Sequence, residues 1–322
     1  LHSTSRRQRQ MCIRDRQNRA VEQGKNPRVI VSTNVAETSL TIEGVRTVID
    51  SGLVRRSGWD PYRGMDTLHL TKISKASAAQ RAGRAGRVAP GRCFRLWSEA
   101  EQARKADFDP PECFRVDLAG AVLNLAAWGI TAPEGFRWLD APDPLVMQRA
   151  VNLLAALGAT EADGSLTDVG RRMTAFPLPP RLARLMAAGQ DEQCVVELAA
   201  IAALMQGEGV AMKGGLNDNL RDSADYTDFQ AEWRAVEKAV DAGFEAGACT
   251  RWGISARGAR EVWMAYRQLL SIGSRGKSRE MPEPDFTAAR PAVVRAMMES
   301  FADHVGAVSY THLRAHETSA HL

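Results

Sequence analysis

Residues 80–87 read Gln-Arg-Ala-Gly-Arg-Ala-Gly-Arg and place three arginines among small residues. If residues 76–87 form a helix, Gln80, Arg84 and Arg87 lie at positions i, i+4 and i+7 and share one face. Arginine suits phosphate because its planar guanidinium binds two oxygens at once and never loses its charge. The spacing therefore predicts a helix with a phosphate-binding face.

The same spacing has a plainer interpretation. Arginine-rich helix faces are often only solvated, and Arg81 points about 100° away from the predicted face. The alanines and glycines between the arginines would, however, let another surface approach closely. The choice between the two interpretations depends on what surrounds this stretch.

Upstream, residues 28–32 form a β-branched apolar run that predicts a buried strand. The loop that follows, residues 33–45, is rich in hydroxyl side chains. Ligands of open α/β sheets bind outside the carboxyl ends of the strands. We therefore expect a backbone phosphate to bind beside the polar side chains of this loop, namely Thr33, Asn34, Ser39 and Thr41.

These two blocks resemble motifs V and VI of the DEAH-box family of superfamily 2 helicases. The family writes them T-N-x-A-E-T-S-(L/I)-T-I-(D/E)-G and Q-R-x-G-R-x-G-R, and residues 33–44 and 80–87 match in the same order. The resemblance implies an α/β RecA-like fold of the P-loop NTPase type. Residues 17–108 would form the C-terminal part of the second, incomplete motor lobe.

The resemblance also implies roles for single residues on the nucleotide side. Arg84 and Arg87 correspond to arginine fingers, and Gln80 corresponds to a γ-phosphate contact. Thr41 and Glu43 would also bind the nucleotide, with Glu43 standing where many relatives carry an aspartate that contacts the ribose. Asp50, at the end of a predicted strand, is interpreted as structural.

On the nucleic-acid side, the resemblance implies that Thr33, Asn34 and Ser39 hold the backbone of single-stranded RNA. Ser39 and Thr41 would connect this grip to the nucleotide. DNA stays open as an alternative substrate, because backbone contacts distinguish the two nucleic acids only through the 2′-hydroxyl.

The resemblance implies ATP and Mg²⁺ as cofactors, held mainly by a first RecA-like domain of the same chain. The sequence contains neither a G-x-x-x-x-G-K-(S/T) phosphate loop nor a D-E-x-H motif. We therefore expect the chain alone not to hydrolyse ATP, although the intact protein would be an ATP-dependent RNA helicase. The alternative is a nucleic-acid-binding or regulatory protein without a motor.

The rest of the first region predicts two strands, at residues 45–50 and 91–97, and a hairpin. The hairpin turn falls within residues 59–66, where proline and glycine stand at turn spacing between apolar flanks. By resemblance, this hairpin projects from the motor lobe and guides the nucleic acid. A simple surface loop is the alternative.

A winged-helix domain is predicted for residues 109–175 and a mainly α-helical, ratchet-like domain for residues 176–307. Helical periodicity supports helices at residues 144–157 and 168–174, the latter capped by Thr167. Residues 157–171 resemble the family pattern L-G-A-x-x-x-x-G-x-L-T-x-x-G-R. Further helices are predicted at residues 195–205, 229–240, 261–270 and 291–301, and the whole is most similar to the bacterial HrpB-type branch.

The two ends differ from the body. Residues 1–16 carry five arginines against one aspartate, a net charge of +4 that equals the charge of the whole chain. Together with residues 308–322 they resemble translated sequencing adapters, and we set both apart as non-native; a basic arm that binds RNA is the alternative for residues 1–16.

Composition bounds the remaining functions. The sequence has no apolar run long enough for a membrane span, and its five cysteines lack metal-ligand spacing. We therefore expect no metal site and no membrane partner, and we predict a cytoplasmic protein.

Overall fold

The computed structural model describes residues 28–38, 42, 44–60, 65–87, 89–207, 209–274 and 282–304. They fall into two compact units. Unit 1 comprises Leu1–Asp117 with Leu139–Pro142, and unit 2 comprises Leu118–Trp138 with Asp143–Leu322. The finer division at residues 17–108, 109–175 and 176–307 stays a prediction, as does the separate nature of the two ends.

Unit 1 contains both strand arrangements that the sequence indicated. Strand β1 (Thr47–Asp50) pairs in parallel with β4 (Arg92–Arg95), with Thr47 opposite Arg92. Strands β2 (Leu53–Asp60) and β3 (Met65–Lys72) form an antiparallel hairpin. The strands predicted at residues 45–50 and 91–97 and the hairpin are thereby confirmed. Three short helices accompany them: α1 (Val35–Thr38), α2 (Lys75–Gly83) and α3 (Glu99–Arg104).

The strand predicted at residues 28–32 is wrong. These residues have no regular secondary structure, and Val29 and Val31 are 93% and 94% exposed. A β-branched run becomes a parallel strand only when neighbouring strands pair with it and helices cover its faces. Here β1 and β4 pair with each other, and no described element covers the two valines.

Helix α2 begins as expected but ends earlier than predicted. The Ser74 hydroxyl caps it by accepting a 3.1 Å hydrogen bond from the Ser77 amide. The prediction that the helix reaches Arg87 is wrong, because residues 84–86 continue in turns with amide bonds three residues back. Two glycines, Gly83 and Gly86, lower the helical propensity at this end.

The small core of unit 1 forms around Trp97. Its ring packs on Val54, Ile73 and Ala78, and its indole N–H donates a 2.8 Å hydrogen bond to Gln102. Gly52 sits beneath this ring with a positive φ of 73°. A Cβ at this position would lie 2.7 Å from Trp97 Cε3, so both backbone and packing require glycine.

Unit 2 is mainly helical, as predicted. The Thr167 hydroxyl accepts a 2.9 Å hydrogen bond from the Gly170 amide and so caps the short helix that follows it. Thr160 and Leu166 form the β-bridge of the winged-helix region. The helices are α4 (Ala119–Ala127), α5 (Pro144–Ala156), α6 (Asp168–Met173), α7 (Pro180–Asp191), α8 (Val195–Gln206), α9 (Asp228–Asp241), α10 (Ala246–Arg251), α11 (Ala256–Gly273) and α12 (Arg290–Phe301).

Arginine pairs fasten α7 to its neighbours in unit 2. Arg172 contacts Asp191 at 2.7 Å, and Arg181 contacts Asp303 at 2.5 Å. Each hydrogen-bonded guanidinium lowers the pKa of its aspartate below the ordinary value of 3.8. None of the described helices is long and apolar enough to cross a membrane.

We expect Gly52→Ala to destabilise unit 1 by about 2–4 kcal/mol, from left-handed backbone strain and a clash with the Trp97 ring. Gly83→Ala is the matched control. No atom lies within 4 Å of its added Cβ, and alanine in a helix is favoured by about 0.5–1 kcal/mol. Urea denaturation measures both; a neutral Gly52→Ala would contradict the packing described for Trp97.

Acid should weaken unit 2 through the two aspartates. Because folding lowers their pKa values, their stabilising contribution is complete above about pH 4 and is lost as pH falls further. We expect Asp191→Asn/Asp303→Asn to be less stable than the wild type at neutral pH, with a difference that shrinks below pH 4. Parallel urea midpoints from pH 7 to pH 2.5 would contradict this prediction.

Candidate nucleotide and nucleic-acid site

A cleft of about 1120 Å³ opens in unit 1 beside β1 and the end of α2. Residues from both sequence blocks line it, including Thr33, Asn34, Arg84 and Arg87. The fold therefore brings together residues that stand about fifty positions apart in the sequence. Gln80, in contrast, is exposed on α2 and does not line the cleft.

The cleft lining is strongly basic. It contains two carboxylates, those of Glu37 and Asp50, and six arginines, a formal net charge of +4. Residues 17–307 are charge-balanced as a whole, so this excess is local. Such a concentration of guanidinium groups favours phosphate oxygens. The six arginines are Arg28, Arg46, Arg55, Arg81, Arg84 and Arg87.

Arg81 has a different environment from the other five. Its side chain is 14% exposed and lies between two carboxylates, with Nε 2.9 Å from Glu37 Oε2 and Nη1 2.9 Å from Asp50 Oδ1. Nη1 also donates a 3.1 Å hydrogen bond to the Leu53 carbonyl. Burial alone would lower the Arg81 pKa, but the hydrogen bonds to both carboxylates raise it above its ordinary value.

Asp50 lies in a buried position that suits the structural role interpreted from the sequence, although it also lines the cleft. It is 4% exposed, and its Oδ1 accepts a 2.9 Å hydrogen bond from the Gly52 amide as well as the bond from Arg81. Asp50 thereby fixes the turn between β1 and β2. The cleft wall and the small core around Trp97 share this turn.

Arg84 and Arg87 follow the end of α2. Arg84 is the C-cap residue, and its guanidinium donates to the carbonyl of Glu37 in α1. Arg87 lies beyond the helix on the turn and is exposed, so the two arginines do not share a continuous helix face. They still line one cleft, which leaves the predicted anion site geometrically open to both.

Thr33 and Asn34 lie at the start of α1 and are exposed. The Thr33 hydroxyl accepts a 3.4 Å hydrogen bond from the Val35 amide, and the Asn34 carbonyl accepts a 2.9 Å bond from the Glu37 amide. Both residues line the cleft. Ser39, Thr41 and Glu43 lie outside the described residues, so their predicted roles stay predictions.

The sequence analysis assigned no role to three residues that the structure connects beside the cleft, namely Glu37, Ser77 and Arg81. The Ser77 hydroxyl donates a 2.7 Å hydrogen bond to Glu37 Oε1, beside the bond from Arg81. Ser77 and Arg81 stand at i and i+4 on α2, a spacing that indicates a shared inward face. The spacing was visible in the sequence, but the partner, Glu37, lies forty positions away.

The residues that line the cleft suit phosphate groups. The guanidiniums of the cleft fit phosphate oxygens. No group of three or more histidine, cysteine, aspartate or glutamate side chains among the described residues could hold a metal ion. The lining therefore suits the phosphate groups of a nucleotide or of a nucleic-acid backbone.

The fold and the paired blocks define the class of protein. Residues 1–89 match the helicase conserved C-terminal domain, and residues 150–178 match the winged-helix helicase-associated domain HA2. The first match includes residues 1–16, whose composition set them apart. These matches support a resemblance to the C-terminal region of DEAH/RHA helicases, in which a RecA-like α/β lobe is followed by winged-helix and helical parts.

Particular relatives agree with this assignment. The chain is 41% identical over 179 residues to the pre-mRNA-splicing factor ATP-dependent RNA helicase prp22 of Schizosaccharomyces pombe, a match that covers 55% of this chain and 15% of that protein. Two crystal structures of HrpB from Escherichia coli, described as a DExH-box NTPase and as a DEAH/RHA helicase, match with TM-scores of 0.59 and 0.61. Their identities are 28% and 27%. Both matches cover 89% of this chain, which spans only 30% and 31% of the HrpB chains.

Proposed function

We propose that this chain supplies the second-lobe half of an ATP-dependent RNA helicase motor. The observation that carries the proposal is the basic cleft. Arg84 and Arg87 line this cleft together with Thr33 and Asn34. One cleft thus joins the residues of motif VI to those of motif V. The first RecA-like lobe of the same protein is the intramolecular partner, and it would supply the phosphate loop and the metal ligands.

On the nucleotide side, Arg84 and Arg87 act as arginine fingers. ATP, when bound between the lobes, supplies the γ-phosphate that is hydrolysed. The two guanidiniums stabilise the negative charge that develops on its oxygens, a contribution worth about 10³–10⁵ in rate for related phosphoryl-transfer enzymes. Gln80 contacts the γ-phosphate when the lobes close, and Thr41 and Glu43 complete the nucleotide contacts.

On the nucleic-acid side, Thr33, Asn34 and Ser39 hold the backbone of single-stranded RNA. Short neutral side chains at the start of a helix donate hydrogen bonds to phosphate oxygens without reading the bases. The name of the prp22 relative supports RNA as the substrate. Closing and opening of the two lobes would then shift this grip along the strand.

A reducing compartment is consistent with the cysteines. The four cysteines that the structure describes are all free thiols, and Cys194 and Cys249 are buried. Disulfides are rare in cytosolic proteins. We therefore keep the cytoplasm as the proposed location.

We expect Arg84→Ala or Arg87→Ala, in the protein completed with its first lobe, to lower ATP turnover about a hundredfold or more. Binding of single-stranded RNA should persist, because the grip is formed by other residues. Arg104→Ala removes an exposed arginine whose Nε bonds the Ala100 carbonyl outside the cleft, and is the matched control. Turnover that stays at the wild-type level in both finger variants would contradict the assignment and favour the alternative of a protein without a motor.

The RNA grip is tested by Thr33→Ala/Asn34→Ala. Loss of one or two hydrogen bonds to phosphate should weaken binding of a labelled oligouridylate about tenfold. The loss should be similar at every salt concentration, because neutral side chains release no counterions. Thr250→Ala, on an exposed helix of unit 2, should bind like the wild type. An unchanged affinity in the double variant would remove these residues from the interface.

A further inference from the structure

The carboxylate of Glu37 ties α1 to α2 in unit 1. Oε1 accepts a 2.7 Å hydrogen bond from the Ser77 hydroxyl, and Oε2 accepts a 2.9 Å bond from Arg81 Nε. Thr33 and Asn34 stand immediately before α1, and Arg84 follows α2 directly. The clamp of Glu37, Ser77 and Arg81 therefore lies between the proposed RNA grip and the proposed arginine fingers.

A second contact makes the fingers sensitive to the same segment. Arg84 donates to the backbone carbonyl of Glu37, so one residue of α1 holds both Arg81 and Arg84. Movement of α1 would displace the carbonyl that orients Arg84. The two sides of the cleft are therefore connected through two hydrogen-bonded side chains, those of Arg81 and Arg84, and no further residues are needed to link them.

The clamp is incompletely satisfied, which points to a second arrangement. Arg81 Nη2 and Asp50 Oδ2 are both buried and have no hydrogen-bond partner among the described residues. Arginine and carboxylate groups pair most strongly when two parallel bonds form. If Arg81 turned to meet Asp50 with both Nη atoms, these two atoms would gain partners and Glu37 would lose one of its two donors.

We propose that Arg81 is a positioning residue that couples the nucleotide side of the cleft to the RNA grip, by holding Glu37 in one arrangement and releasing it to pair fully with Asp50 in another. The inference rests on the proposed function, since it assigns a link between the two halves of that site. In this proposal Arg81 acts through Glu37 and Asp50 and is assigned no ligand of its own. Its role differs from that of Arg84 and Arg87, although all three belong to one motif.

The test measures coupling directly. In the protein completed with its first lobe, the affinity for a fluorescein-labelled oligouridylate is determined with ADP and with the non-hydrolysable analogue AMP-PNP. The ratio of the two dissociation constants is the coupling ratio, which we expect to be about 5-fold or more for the wild type. Glu37→Gln and Arg81→Lys should each bring the ratio to within about twofold of one, because the first removes the carboxylate charge that holds Arg81 and the second removes the guanidinium that joins Glu37 to Asp50.

The two substitutions should also be non-additive. If Glu37 and Arg81 act through one contact, Glu37→Gln/Arg81→Lys lowers the ratio no further than either single variant. Asp225→Asn is the control, because it breaks a comparably buried ion pair with Arg234 in unit 2, where the side chains are 14% and 35% exposed. It should lower the melting temperature and leave the ratio unchanged, which separates coupling from loss of stability.

The outcomes distinguish the two proposals. A wild-type ratio near one overturns both the proposed function and this inference. A wild-type ratio of fivefold or more that persists in Glu37→Gln overturns the inference alone and leaves the helicase function standing. Should Glu37→Gln fail to fold, Arg81→Lys decides the matter, because it keeps the positive charge and removes only the fork.

Discussion

The buried guanidinium of Arg81 is the interaction on which the cleft depends. It joins Glu37 of α1 and Asp50 of β1 to helix α2. Removing one partner of a largely desolvated ion pair is destabilising, because the remaining charge is left uncompensated. Such a pair adds little net stability compared with well-packed apolar side chains of similar volume at the same positions. Its main effect is to determine which segments of the chain pack together. Here it fixes the segment that carries Thr33 and Asn34 against the helix that leads to Arg84.

Charge is distributed in a way that gives the cleft its chemistry. The body of the chain has no net charge to attract nucleic acid from a distance, whereas the cleft lining has a formal excess of +4. Both carboxylates in that lining are turned towards Arg81. The other five arginines in the lining are Arg28, Arg46, Arg55, Arg84 and Arg87. A local excess of positive charge strengthens contact with a phosphate backbone that has already reached the cleft. It does little to attract nucleic acid from a distance, because salt screens charges over about 10 Å.

Local signals predicted the elements that depend on local interactions. Thr167 caps its helix as expected, and the four helices predicted in the C-terminal region are present because their apolar periodicity is buried within unit 2. The strand at residues 28–32 failed because burial of a β-branched run depends on neighbours that the run itself does not specify. The early end of α2 reflects two glycines whose cost outweighed the regular spacing of the arginines. The clamp was not predictable, since its members come from two segments about forty residues apart and only the Ser77–Arg81 spacing was local.

The early end of α2 also separates the roles of the motif VI arginines. Arg81 lies within the helix, where its orientation follows from the backbone, from the partly buried carboxylate of Glu37 and from the buried carboxylate of Asp50. Arg84 lies at the cap, where its position follows from α1 through the Glu37 carbonyl. Arg87 is carried on the turn beyond, where helix geometry no longer sets its direction. Three arginines at regular spacing are therefore held by three different means. The first two depend on the same glutamate, because the Glu37 carboxylate accepts from Arg81 and the Glu37 carbonyl accepts from Arg84, so the position of α1 bears on both arginines.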